Sequence, residues 1–307
     1  RLAGAALWTA SAFLTGNART CRRGKVWEAC MRVAVIPNFK ASGSGESLGG
    51  VCAALEKLGA EVLLPAETQQ FPSEETDEII AASDVVVALG GDGTIMHTAK
   101  RAARYFRPVL GINGGRLGFM AGLEADELGK LPALIQGQYT VEHRMLLDVV
   151  IRTAAGERRF TAMNEAVVSR GALSRLIELE VSNHAEPVMM YRADGIIAAT
   201  PTGSTAYSLS AGGPVVDPEV DCLLLTPICP HSLYSRSYIF HADAVLSIRP
   251  LIPAGTSVFL TVDGEEGAPI TGSDRILISR AAADAHLIKL KQTSFYQVLN
   301  QKLINRR

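Results

Sequence analysis

One stretch, Val85-Val86-Val87-Ala88-Leu89-Gly90-Gly91-Asp92-Gly93-Thr94, constrains this chain more than any other. Its apolar, valine-rich first half reads as a strand buried on both faces, as in a parallel sheet covered by helices. The strand runs directly into glycines that surround a single carboxylate. Without Cβ atoms, Gly90, Gly91 and Gly93 let the backbone take unusual dihedrals and let phosphate oxygens approach main-chain N–H groups. The following segment, Ile95 to Arg104, lacks proline and glycine and reads as a helix whose partly positive N-terminus points at the same anion. Asp92 repels phosphate unless it accepts a proton from an attacking hydroxyl or helps to hold a cation bridging phosphates, and both roles belong to phosphoryl transfer. A plain strand-to-helix turn, with Asp92 as the helix cap, is the other reading of the same residues.

The surrounding pattern supports a sheet. From Arg32 to about Leu123, strands at Val33–Ile36, Glu61–Leu64, Val85–Leu89 and Val109–Ile112 alternate with helices around Glu46–Leu58 and over Ile95–Arg104. In the first helix Leu48, Val51, Cys52, Leu55 and Leu58 recur at spacings of three and four, which defines one apolar stripe. The expectation is an open parallel α/β sheet whose ligands gather at the carboxyl ends of the strands. A second glycine-rich turn, Gly111-Ile112-Asn113-Gly114-Gly115-Arg116-Leu117-Gly118-Phe119, follows another strand and lines the same rim.

After a helix near Ala125–Gln136 the texture changes to strands separated by turn residues: Met145–Thr153, Leu176–Val181, Gly195–Ala199, Ala244–Arg249, Ser257–Val262 and Arg275–Ile278. This predicts a mainly β domain of layered sheets packed face to face. Ser294–Ile304 reads as a terminal helix with Phe295, Val298, Leu299, Leu303 and Ile304 on its apolar side. The expected division is a leader over 1–30, an α/β domain over 31–138, a β domain over 139–290, and a terminal helix over 291–307 that returns to the first domain. The leader carries five basic residues and no acidic one between Arg1 and Lys25. Because a well-formed strand begins just after Met31, these residues read as a poorly ordered leader or upstream extension rather than a signal peptide.

Composition narrows the partners. With 307 residues, 48% of them hydrophobic, the chain can bury two cores. Its 30 basic and 31 acidic residues leave no net field to collect nucleic acid or an anionic membrane, so small molecules are the expected partners. Cys21, Cys30, Cys52, Cys222 and Cys229 form no C-x-x-C pair and no zinc spacing, which suits packing residues of a reduced, cytoplasmic protein. His143, His184, His241 and His286 show no metal-ligand spacing, and no protein-built metal site is expected. No apolar run approaches the roughly 20 residues of a membrane span.

A second constellation runs from Asp194 to Pro214 with the core Thr200-Pro201-Thr202-Gly203-Ser204-Thr205-Ala206-Tyr207. Small side chains let a planar ring or ribose lie close to the backbone, hydroxyls bond to it, and Tyr207 stacks on it or shapes a pocket wall. Alone, it also reads as a serine- and glycine-rich loop between strands. Taken together, Gly90–Thr94, the pair Asn164-Glu165, the Asp194–Pro214 stretch and Thr226-Pro227-Ile228-Cys229-Pro230-His231-Ser232-Leu233 resemble the NAD kinases, which phosphorylate the 2′-hydroxyl of the adenosine ribose of NAD. The resemblance covers the chain from about Met31 onward. Its first motif is shared with diacylglycerol and sphingosine kinases and, more loosely, phosphofructokinases.

That resemblance implies the following roles. Asp92 is the general base or the carboxylate that orients the 2′-hydroxyl, with Gly90, Gly91, Gly93, Thr94 and Phe119 beside the nucleotide. Asn164 and Glu165 grip ribose hydroxyls, since an amide and a carboxylate supply a donor and acceptors to a diol. Asp194 meets the nucleotide, and Thr205, Ala206, Tyr207 and Ser210 wall the base and ribose pockets. His97, Arg175 and Arg192 match positions that contact nucleotide in relatives; each also has an ordinary reading as an exposed helix or strand-end residue. The substrates implied are NAD and ATP, with Mg2+ or another divalent cation accompanying ATP, in a homodimer or homotetramer. A lipid kinase using the same glycine turn, or a catalytically silent NAD(P) sensor, are the rival functions. The one G-x-S-x-G match, Gly45-Glu46-Ser47-Leu48-Gly49, falls at the start of the predicted first helix rather than in the strand-to-helix turn of a nucleophile elbow, and no Walker lysine motif occurs.

Overall fold

The computed structural model describes residues 30–38, 44–66, 73–114, 118–171, 175–232, 234–252, 256–265, 267–291 and 293–304. Apart from Cys30 the expected leader lies outside them, as do Gly115, Arg116 and Leu117 of the second glycine-rich turn and Leu233 of the last motif. The chain forms two compact units, Arg1–Glu142 with His286–Arg307, and His143–Ala285.

The first unit runs β1 (Arg32–Pro37), α1 (Ser44–Lys57), β2 (Glu61–Leu63), α2 (Glu74–Ala82), β3 (Val85–Leu89), α3 (Asp92–Ala103), β4 (Val109–Asn113), β5 (Leu123–Glu124), a 3-10 turn (Ala125–Lys130), α4 (Leu131–Ile135) and β6 (Thr140–Arg144). β1 lies between β2 and β3, and β3 beside β4, all in parallel. Every residue of β3 is buried, because one face packs on α1 through Val51 and Leu55 while α3 covers the sheet. The packing of α3 on β4 depends on Gly111, where a Cβ would stand 2.6 Å from a methyl of Ile95. α2 was not among the expected helices; Ser73 caps it by accepting the Thr76 N–H at 3.2 Å. The expected helix near Ala125–Gln136 divides into the 3-10 turn and α4, with Glu127 at non-helical dihedrals.

The second unit contains β7 (Leu147–Thr153), β8 (Gly156–Ala162), β9 (Glu165–Arg170), β10 (Ile177–Asn183), β11 (Glu186–Ala193), β12 (Gly195–Ala199), a 3-10 turn (Thr202–Thr205), α5 (Tyr207–Ser210), β13 (Cys222–Ile228), β14 (Tyr238–His241), β15 (Leu246–Leu251), β16 (Val258–Val262), β17 (Ala268–Ile270) and β18 (Arg275–Arg280). These form two antiparallel sheets, in the orders β11-β10-β15-β18-β7-β8 and β14-β13-β12-β9-β16-β17. Alternate residues of both sheets, such as Leu147, Val149 and Leu179 of one and Val168, Ile196 and Leu223 of the other, share one core. The other face of the second sheet is covered as well: Val167, Ile197, Ala199 and Leu224 pack with Ala211 and Val216. β12 therefore reads as an unbroken apolar run where a half-exposed strand would alternate.

The chain ends with β19 (Ala285–Lys289) and α6 (Phe295–Ile304). β19 pairs in parallel with β4, which gives the first sheet the order β2-β1-β3-β4-β19-β6, with β5 also pairing β4. The fold class is thus an open, largely parallel α/β sheet followed by layered antiparallel β sheets, as the patterning indicated. Among the cysteines, Cys222 is buried, whereas Cys229 is exposed with φ of +45° and belongs to a turn rather than to packing.

Candidate active site

In the first unit the glycine turn is arranged around Asp92. α3 begins at Asp92 itself, with Gly91 as the cap and no side-chain capping bond, so the carboxylate is not a helix cap. Its oxygens instead accept the backbone N–H groups of Phe119, at 3.0 Å, and Met120, at 3.2 Å. Lys302 of α6 adds an ion pair at 3.0 Å to the same oxygen that Phe119 reaches. A carboxylate accepts about four hydrogen bonds, so room for another donor remains. Gly118 makes this geometry possible, since a Cβ there would stand 2.3 Å from an Asp92 oxygen.

The glycines divide their work. At Gly90, with φ of +156°, an added Cβ would meet the Thr94 hydroxyl at 2.6 Å, so its bareness serves the turn's own packing. At Gly91 and Gly93 an added Cβ would meet nothing within 4 Å, so both face open space at the start of α3. His97 lies half-buried on α3, and Phe119 is joined to Asp92 through its N–H.

In the second unit, Asn164 and Glu165 sit where the chain enters β9, and Asp263 holds them there. The Asp263 carboxylate accepts the N–H groups of Met163 at 2.9 Å, Asn164 at 2.8 Å and Glu165 at 3.1 Å, while its own N–H donates to the Glu165 carbonyl at 2.9 Å. Asp263 takes φ of +51° to do so. Glu165 is only 7% exposed, and its Oε2 has no hydrogen-bond partner. Burial, with the charge of Asp263 beside it, pushes the Glu165 carboxyl up to about 7, against a smaller opposing contribution from the Tyr207 backbone N–H. That N–H ties the pair to the second constellation.

The Thr200–Pro214 segment is pinned by its own hydroxyls. Thr200 donates to the Met163 carbonyl at 2.6 Å and accepts the Gly203 N–H at 3.0 Å. Ser204 bonds both the N–H and the carbonyl of Val216 at 3.1 Å, and Ser208 meets Thr226 at 3.0 Å. With these hydroxyls turned inward, Tyr207 and Ser210 are left exposed and Thr205 and Ala206 half-exposed. Asp194 pairs with Arg170 at 2.5 Å. Arg175 and Arg192 are brought together: both line a groove of about 870 Å3 with Glu178, Leu251 and Ile252, Arg192 standing opposite Glu178 across β10 and β11.

Residues 45–139 match the ATP-NAD kinase N-terminal domain and residues 163–290 the ATP-NAD kinase C-terminal domain. The chain is 48% identical over 256 residues to the NAD kinase of Symbiobacterium thermophilum, an alignment covering 81% of this chain and 90% of that one. It belongs to the NAD kinase family. The NAD kinase of Caldanaerobacter subterraneus is 38% identical over 282 residues, covering 90% and 99% of the two chains. Among solved structures, yeast NADH kinase complexed with NADH superimposes with a TM-score of 0.80 at 26% identity, covering 91% of this chain and 89% of that one. An NAD kinase from Archaeoglobus fulgidus in complex with ATP gives 0.71 at 27%, covering 89% and 99%.

Three residues that shape the surroundings of Asp92 and Asn164 escape a motif reading. Asp263 stands before Gly264, an Asp-Gly pair that signals the turn between β16 and β17 without revealing what its carboxylate binds. Gly118 is one glycine among several in its segment. Lys302 carries no local signal beyond a basic residue in the last turn of a helix, where the helix dipole favours one anyway.

Proposed function

We propose that Asp92 directs the in-line transfer of the terminal phosphoryl group of ATP to the 2′-hydroxyl of the adenosine ribose of NAD. A bond forms between the 2′-oxygen and the terminal phosphorus, the bond from that phosphorus to the bridging oxygen breaks, and ADP leaves. Asp92 accepts or steers the hydroxyl proton. The observation that carries this reading is a carboxylate fixed by two backbone N–H groups next to glycines that face open space. A ribose hydroxyl is a weak nucleophile, so alignment and the dipoles of the turn supply most of the advantage.

In this reading Asn164 and Glu165 hold the ribose diol, and Asp194, Thr205, Ala206, Tyr207 and Ser210 form the nucleoside wall. Gly90, Gly91, Gly93, Thr94, His97, Phe119, Arg175 and Arg192 meet the remaining nucleotide groups. A divalent cation enters with ATP and neutralises its phosphates. Among the described residues no group of three or more His, Cys, Asp or Glu side chains is arranged to hold a metal. The same reading includes a homodimer or homotetramer in the cytoplasm, with sedimentation as the check on assembly; no helix among the described residues is long and apolar enough to cross a membrane.

The test is NADP formation from NAD, ATP and Mg2+. Asp92→Asn is expected to lower turnover roughly a hundredfold or more, the scale of general acid–base catalysis, with NAD affinity nearly intact. Normal turnover in that variant removes Asp92 from the mechanism.

A further inference from the structure

The glycine turn lacks a lysine of its own, yet a lysine reaches it from the far end of the chain. Phe295 and Lys302 are two helical turns apart on α6 and so share a face. That face lies on Phe119: the Phe295 and Phe119 ring centroids are 6.0 Å apart, and Lys302 Nζ stands 4.0 Å from the Phe119 ring centroid. The same Nζ is 3.0 Å from the Asp92 oxygen that accepts the Phe119 N–H. One residue, Phe119, thus orders both the carboxylate, through its backbone, and the cation beside it, through its ring.

We propose that Lys302 is a positioning residue for phosphoryl transfer, holding the Asp92 carboxylate in its aim and offsetting its charge as anionic phosphates approach Gly91 and Gly93. The inference rests on the reading of Asp92 given above. A carboxylate in a phosphate-binding turn repels the group the turn binds; a cation in direct contact with it cancels much of that repulsion. The ring of Phe119 keeps the ammonium over Asp92 by a cation–π contact. Lys302 acts through Asp92, and this separates it from a lysine that binds the donor phosphates by itself.

The experiment uses the full chain as wild type, Lys302→Met, Lys302→Arg, Asp92→Asn and the Asp92→Asn/Lys302→Met double variant, with kcat and KM for NAD measured in each. Met keeps the length of the side chain and removes the charge. The expected result is a kcat roughly ten- to a hundredfold lower in Lys302→Met, the scale of a hydrogen bond to a charged group, with KM for NAD within about twofold and most of kcat restored in Lys302→Arg. In the Asp92→Asn background the same substitution changes nothing further. Unchanged or raised turnover in Lys302→Met overturns the inference, as does a loss that multiplies with that of Asp92→Asn. A wild type that forms no NADP overturns the parent reading instead.

Discussion

Replacing Glu165 with glutamine exposes how the Asn164-Glu165 end of the candidate site is built, because the fold favours the protonated form of that side chain. The carboxyl is buried beside Asp263 and reaches about 7. Its ordinary value lies near 4.5. The folded chain therefore binds a proton that the unfolded chain has released. That contribution to stability is complete below about pH 4.5 and is lost as pH rises through about 7. At about 1.4 kcal/mol per pH unit, the whole loss is about 3 kcal/mol, of which roughly 2.5 kcal/mol falls between pH 5 and pH 8. Glutamine cannot ionise, so Glu165→Gln should be spared this loss. Any packing or hydrogen-bonding cost of the amide is the same at both pH values and cancels in the difference. Urea unfolding followed by circular dichroism, run on both proteins at pH 5 and pH 8, reads the quantity directly. The variant should gain about 2 to 3 kcal/mol on the wild type between the two conditions, while its NAD affinity falls. A gain under about 1 kcal/mol would show that Glu165 ionises in the folded protein as it does in water.

Two further substitutions probe the supports of the site. Gly118→Ala should lower kcat at least tenfold with little change in NAD binding, measured by steady-state kinetics and ligand titration, because its Cβ would stand 2.3 Å from an Asp92 oxygen. Asp263→Asn turns an amide donor toward backbone N–H groups that now donate to a carboxylate. It should cost about 2 kcal/mol or more in urea unfolding and raise KM for NAD. It should also shrink the loss of stability between pH 5 and pH 8, since the charge of Asp263 helps to hold Glu165 high.

Much of the fold is legible because burial writes itself into local pattern. Val85–Leu89 is apolar throughout and is buried throughout, and the turn after it is where α3 begins. β13 is harder to read because Thr226 and Pro227 interrupt its apolar run. Proline is tolerated there because it faces Ile196 of β12 while β14 reaches only as far as Leu225, which leaves that side of the strand free of ladder bonds. α2 shows the opposite failure: Ser73 followed by acidic residues is a helix start, but with only Thr76 and Ile80 buried no apolar stripe announces it. The site divides in the same way. Gly90–Thr94, Asn164-Glu165 and the Thr200–Tyr207 core are contiguous and can be seen as motifs. The groups that hold them come from 27, 99 and 210 positions away, at Phe119, Asp263 and Lys302, and such pairings exist only once the chain has folded.

The double covering of β12 has a mechanical consequence. Its outward residues, Ile197 and Ala199, are roofed by Ala211 and Val216 from the stretch that carries Tyr207. Peeling that stretch away would wet an apolar layer and strand the inward-turned hydroxyls of Thr200, Ser204 and Ser208, so it cannot swing as a flap. Its amides should exchange with solvent only when the whole sandwich comes apart. A nucleoside lying against Tyr207 would then meet a wall already set, and selectivity would come from fit rather than from closure.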